Sequence, residues 1–107
     1  MRPVLLQDVL AVARVLAVVP EEGRRALCSL CFEHAETAER YRLREGRDHP
    51  RFGSGTLTCA VQDMEADHAT NLQDPVYVDC LRLVLRELSE RMGAGSMSQI
   101  PSKSGMG

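Results

Sequence analysis

Between Val4 and Val19 the chain reads VLLQDVLAVARVLAVV, and only Gln7, Asp8 and Arg14 are polar. Gln7 and Arg14 lie seven positions apart and so share one helical face. A helix this apolar around the rest of its circumference has to be buried on several sides. In a chain of 107 residues that is a severe demand, because small domains leave much of their surface in water. The expectation is that a subunit interface covers what one chain cannot.

The remaining segments also read as helices. Pro20-Glu21-Glu22 is a helix opening, since proline needs no hydrogen-bond partner there and acids complement the dipole. Leu27, Cys31, His34, Ala38 and Tyr41 recur at helical spacing, with Leu30, Phe32 and Ala35 alongside, and Gly46 is placed to end the helix. A third helix is expected near 54–65 from Leu57, Ala60, Val61 and Met64. Asp74-Pro75 supplies the N-cap and first turn of a fourth, over 75–92, with Tyr77, Leu81, Val84, Leu85, Leu88 and Met92 as its stripe and Gly93 as its stop. Residues 93–107, GAGSMSQIPSKSGMG, read as a flexible tail. The predicted class is therefore all-α. An antiparallel helical hairpin (4–45) is followed by two shorter helices within a single domain, 1–92.

Charge is distributed unevenly about a net value of -2. Arg40, Arg42, Arg44, Arg47 and Arg51 fall within twelve residues, and no arginine or lysine lies between Phe52 and Leu81. Such opposed blocks suit a partner surface or head-to-tail contact between copies of the chain. Glu36 to Arg40 and Glu39 to Arg42 are expected to pair along the helix. Arg44, Arg47 and Arg51 lack such partners and straddle the helix end, where a basic cluster could touch phosphates without reading sequence. With two Phe, two Tyr and no Trp, the chain is poorly equipped to stack bases.

Other motifs carry less. Cys28-x-x-Cys31-x-x-His34 has metal-like spacing, but these residues lie mid-helix in an apolar pattern, whereas structural zinc sites usually draw paired cysteines from a turn. They are read as core, with no metal and no cofactor. Phe52-Gly53-Ser54-Gly55-Thr56 lacks the ending of a nucleotide-binding loop and reads as a tight turn, a phosphate seat being the alternative. His34, His49 and His68 have no nucleophile in a recognisable arrangement, so no catalytic residue is assigned. The polar residues of the first segment exclude a membrane span of about 20 apolar residues and a signal peptide. A reducing cytoplasm is expected.

Three stretches, RPVLLQDVLAVARVL (2–16), GRDHPRFGSGTL (46–57) and DPVYVDCLRLVLREL (74–88), carry a resemblance that covers about residues 2 to 92. The chain resembles the small terminase subunit of the gene transfer agents of alphaproteobacteria, phage-derived particles that package host DNA. The resemblance implies a non-enzymatic, ring-forming homo-oligomer that binds double-stranded DNA and recruits the large terminase subunit. It assigns oligomerisation to the helical pair Val4–Arg44, with Leu5, Val9, Val12, Leu16, Leu27 and Cys31 as contact positions. It places large-terminase binding in the tail, with Met97, Ile100 and Met106 as anchors. Many phage small terminases begin with a helix-turn-helix domain that recognises a packaging site. This sequence opens on the apolar helix instead, so weak, non-specific binding through Arg40, Arg42, Arg44, Arg47 and Arg51 is expected.

Two other readings compete with the packaging adaptor. One is a small DNA-binding regulator with the third helix as its reading helix, although Gln62 is almost the only amide that helix exposes. The other is a helical virion or scaffold protein whose arginines meet the acidic segment Asp63–Asp79 of a neighbour.

Overall fold

A computed structural model describes residues 2–67 and 71–96. Among them the regular elements are all helical: α1 (Leu6–Ala17), α2 (Glu21–Glu45), α3 (Leu57–Ala60) and α4 (Pro75–Ser96). The all-α class is borne out. An antiparallel bridge, His49 with Gly53, closes the loop after α2.

Helix α1 is buried by its own chain. Asp8, Val9, Ala11, Val12, Ala13, Val15 and Leu16 are all buried, chiefly against α4, with α2 and α3 completing the cover. This corrects the expectation that one chain could not enclose α1. The expectation overlooked the small side chains Ala11 and Ala13, which let neighbouring helices approach closely. Only the first turn stays open, with Leu5 and Leu6 exposed. At the other end, Arg24 Nε donates to the carbonyls of Leu16 at 3.1 Å and Val19 at 2.9 Å. A cation thus satisfies carbonyls that end a helix, which also suits the dipole.

The buried face of α2 is Cys28, Cys31, Phe32, Ala35 and Ala38. Leu27, His34 and Tyr41 lie half-buried along its border, and Leu30 is exposed. Gly46 ends the helix at φ 76°, its N–H donating to the Arg42 carbonyl at 2.8 Å. The left-handed conformation is the one glycine adopts without penalty.

Two helix boundaries differ from the sequence reading. The third helix spans four residues rather than 54–65. Its N-cap is Thr56, whose hydroxyl accepts the Cys59 N–H at 3.1 Å. After Ala60 the chain turns away, and Asp67 N–H binds the Arg14 carbonyl on α1 at 2.9 Å. Leu57, Ala60 and Val61 are buried and Met64 packs beside them, so the periodicity identified the inward residues although the helix does not continue. Acids such as Asp63 and Glu65 oppose the dipole where a C-terminal turn would lie. In contrast, α4 continues through Gly93 to Ser96. Glycine lowers helix stability by about 1 kcal/mol but does not forbid it. The start of α4 is as expected: Asp74 Oδ1 accepts the Val76 N–H at 3.0 Å.

Candidate nucleic-acid interface

The basic segment occupies the last turns of α2 and the loop 46–56. That loop is tied down by His49, whose backbone N–H and C=O exchange hydrogen bonds with Gly53 at 2.9 and 3.0 Å. The His49 Nδ1 accepts the N–H groups of Arg51 at 3.0 Å and Phe52 at 3.1 Å, which assigns the ring proton to Nε2. Phe52 is then stacked between His34, at a centroid distance of 4.0 Å, and His49, at 4.7 Å. Tyr41 meets His49 edge-on at 4.9 Å. The four rings staple the loop to α2. Since both faces of Phe52 are occupied, it offers no platform for a nucleobase.

On this fixed base the five arginines divide unequally. Arg42 makes a two-point contact with Glu39, 2.9 Å at each oxygen, and the hydrogen bond holds the Glu39 carboxyl below the usual carboxylate range. Arg2 adds a longer contact to Glu39 at 3.7 Å. The expected Glu36–Arg40 pair does not form, because Glu36 faces Arg91 on α4 at 3.3 Å. Arg40 instead reaches Thr37 Oγ1 at 3.5 Å and keeps its charge free. Arg44, expected to lack an acid, pairs with its exposed neighbour Glu45 at 3.0 Å and lies 5.6 Å from the Tyr41 ring. Arg51 lies 5.7 Å from the Phe52 ring, and Arg47 is exposed. Among the described residues neither makes an ion pair. Three exposed cations, Arg40, Arg47 and Arg51, therefore remain uncompensated, Arg44 is weakly compensated by a surface pair, and Arg42 is structural.

The glycine turn does not offer a phosphate seat. Gly53 N–H is used by His49. Gly55 is buried so tightly on α2 that an added Cβ would lie 2.8 Å from Glu39 Oε1, and a carboxylate there repels an anion. A four-residue α3 also has little dipole to contribute.

The metal-like trio does not converge. Cys28 and Cys31 are buried, and burial first of all pushes their thiols up to about 12 and about 11, while the His34 ring lies on Phe52. The four cysteines are all free thiols. Among the described residues no group of three or more His, Cys, Asp or Glu is placed to hold a metal, and no helix is long and apolar enough to cross a membrane.

Of the contact positions assigned to oligomerisation, Val9, Val12, Leu16 and Cys31 are buried in the chain's own core, so in this fold they present no surface to a neighbour. Leu27 is half-buried, and Leu5 alone is exposed. Met97, Ile100 and Met106 lie outside the described residues, as does His68.

A second basic site was missed. A groove of about 700 Å³ runs between the start of α2 and the middle of α4, lined by Arg24, Arg25, Arg82, Arg86, Leu83 and Leu85. Sequence held half of the signal, in the i, i+4 spacing of Arg82 and Arg86. The other half needed the docking of two helices far apart in the chain.

The family described as Domain of unknown function (DUF7742) matches residues 2–88. No curated protein and no solved structure matches the chain.

Proposed function

The chain belongs to the DUF7742 family, and we propose that it serves as a non-enzymatic DNA-packaging adaptor of the small-terminase kind. In this reading, copies assemble in the cytoplasm into an oligomer that grips duplex DNA weakly, without reading its sequence. The oligomer presents the C-terminal segment with Met97, Ile100 and Met106 to a large terminase. The observation that carries the DNA contact is the trio Arg40, Arg47 and Arg51, exposed and without ion pairs among the described residues on an immobilised helix end and loop. Phosphate contact needs such free cations, and a fixed base lowers the cost of ordering them. Three contacts per copy are weak, and repetition around an oligomer multiplies them.

The regulator reading is less well supported, because α3 is a single turn of four residues and a reading element normally lays a longer helix in the major groove. The scaffold reading makes a different prediction for the same arginines. Fluorescence anisotropy with two unrelated duplexes of equal length separates the three. The Arg40→Ala/Arg47→Ala/Arg51→Ala variant should weaken binding to both duplexes alike and flatten the slope of log K against log salt by about 3. Loss on one sequence alone favours the regulator, and no duplex binding by the unaltered chain favours the scaffold.

A further inference from the structure

The groove between α2 and α4 carries the inference furthest. Its four arginines are not equally occupied. Arg25 is exposed and has no ion pair among the described residues. Arg24 spends its Nε on carbonyl groups rather than on an acid. Arg82 is held loosely by Asp79 at 3.7 Å, and Arg86 by Glu90 at 3.2 Å, both as exposed pairs of little strength. Glu21 and Asp79 also line the groove, leaving cations in excess. Leu83 and the half-exposed Leu85 add apolar surface among the charges. Phosphates would use the arginines and leave the leucines wet, whereas a polypeptide that carries both acids and an apolar side chain uses both.

The same chain carries such side chains. Asp63 and Glu65 are exposed without an ion pair among the described residues, and Leu72 is 67% exposed. They lie in the stretch that has no arginine or lysine. The chain does not satisfy itself, since Arg82 and Arg86 pair with Asp79 and Glu90 and among the described residues no ion pair joins Asp63 or Glu65 to Arg25, Arg82 or Arg86. We propose that the groove of one copy receives Asp63, Glu65 and Leu72 of a second copy, head to tail. Two different surfaces make a heterologous contact, which every copy can form at both ends and which closes into a ring when its rotation permits. This rests on the oligomeric part of the packaging reading and names its contact. It also leaves the arginines at 40–51 free for DNA.

Sedimentation velocity at micromolar concentration tests the contact. The unaltered chain should associate at about 50 mM salt and loosen at about 500 mM, as expected for exposed charges. Arg25→Glu/Arg82→Glu and Asp63→Lys/Glu65→Lys should each weaken association about tenfold or more while keeping the helical circular dichroism of the unaltered chain. Mixed in equal amounts, the two variants should regain association, because each groove then meets a complementary surface. An oligomer that both variants leave intact overturns the contact alone. A mixture that stays dissociated does the same, as does a groove variant that loses duplex binding without a change in mass. A monomeric unaltered chain at low salt overturns the oligomeric reading and the contact together.

Discussion

Thr58 donates both its backbone N–H, at 3.1 Å, and its hydroxyl to Oδ1 of Asp8, fifty positions earlier in the chain. The other oxygen, Oδ2, accepts the Leu5 N–H at 2.8 Å. Asp8 is 2% exposed, so an ionisable side chain sits within the core and accepts these three hydrogen bonds. A buried acceptor that keeps its donors holds structure together, and one that loses them is costly. The start of α1 and the single turn of α3 are thereby joined through one side chain.

Asp8→Asn tests that junction. Only one end of an amide accepts, so its NH₂ must face either the Leu5 N–H or the Thr58 donors. The expected loss is about 2 kcal/mol, read as a lower urea midpoint with an unchanged m-value. Thr58→Val should cost less, since it removes one donor and leaves the carboxylate two others.

Gly55 and Gly46 both have positive φ, 101° and 76°, yet their surroundings differ. A Cβ on Gly55 would stand 2.8 Å from Glu39 Oε1 and 3.2 Å from the Glu39 Cα, whereas one on Gly46 meets nothing within 4 Å. The carboxylate tip can swing aside but the helix backbone cannot. Gly55→Ala should therefore destabilise by about 3 kcal/mol and Gly46→Ala by about 1 kcal/mol. Thermal melting of the two variants side by side checks the order, and equal melting temperatures would show that Gly55 has room.

The cysteines should differ in reactivity. Cys59 is partly exposed, and hydrogen bonds, from Ser54 first and then Thr56, hold its thiol below the ordinary value. Burial raises Cys28, Cys31 and Cys80. Iodoacetamide at neutral pH should thus label Cys59 first, as peptide mass analysis would show. Stability follows from the raised pair. Thiols of the unfolded chain ionise near pH 8.5, while those of Cys28 and Cys31 in the fold resist up to about 12 and about 11. Their contribution is whole below the unfolded value and is lost as pH rises above it towards the folded values. Urea unfolding between neutral pH and pH of about 10.5 should show this decline, and Cys28→Ala/Cys31→Ala should make it shallower from a lower starting stability.

How much of this was legible in the sequence depends on whether the governing interaction is local. The Gly46 stop, the Asp74 cap and the Glu39–Arg42 pair follow from neighbours within one turn, and the sequence rules found them. The Glu36–Arg40 pair obeys the same rules and fails, because Arg91 arrives from α4 and takes Glu36. Enclosure of α1 was illegible for a related reason, since it depends on how closely the small side chains of Ala11 and Ala13 allow the other helices to approach. The stacking of Phe52 between His34 and His49 likewise joins residues that no spacing rule connects. At the candidate site, the sequence named the arginines but could not rank them. Ranking required knowing which acids had already been claimed.

That ranking gives the sharpest contrast available within the basic segment. Arg42 is bound at two points to Glu39, and Glu39 also supports Arg2 and faces Gly55. Arg47 is exposed without an ion pair among the described residues. Replacing Arg42 with Ala should lower the melting temperature and leave duplex affinity nearly unchanged. Replacing Arg47 with Ala should leave melting alone and flatten the salt slope of duplex binding by about 1. The acid limb of stability separates them again. The hydrogen bond from Arg42 lowers the Glu39 carboxyl, so that pair contributes above the ordinary carboxylate range and is lost as pH falls through the lowered value. Arg42→Ala should flatten that limb, and Arg47→Ala should not. If Arg42→Ala instead impaired duplex binding as much as Arg47→Ala at full stability, the ion pair would have to open in the complex, and the division of the arginines would be wrong.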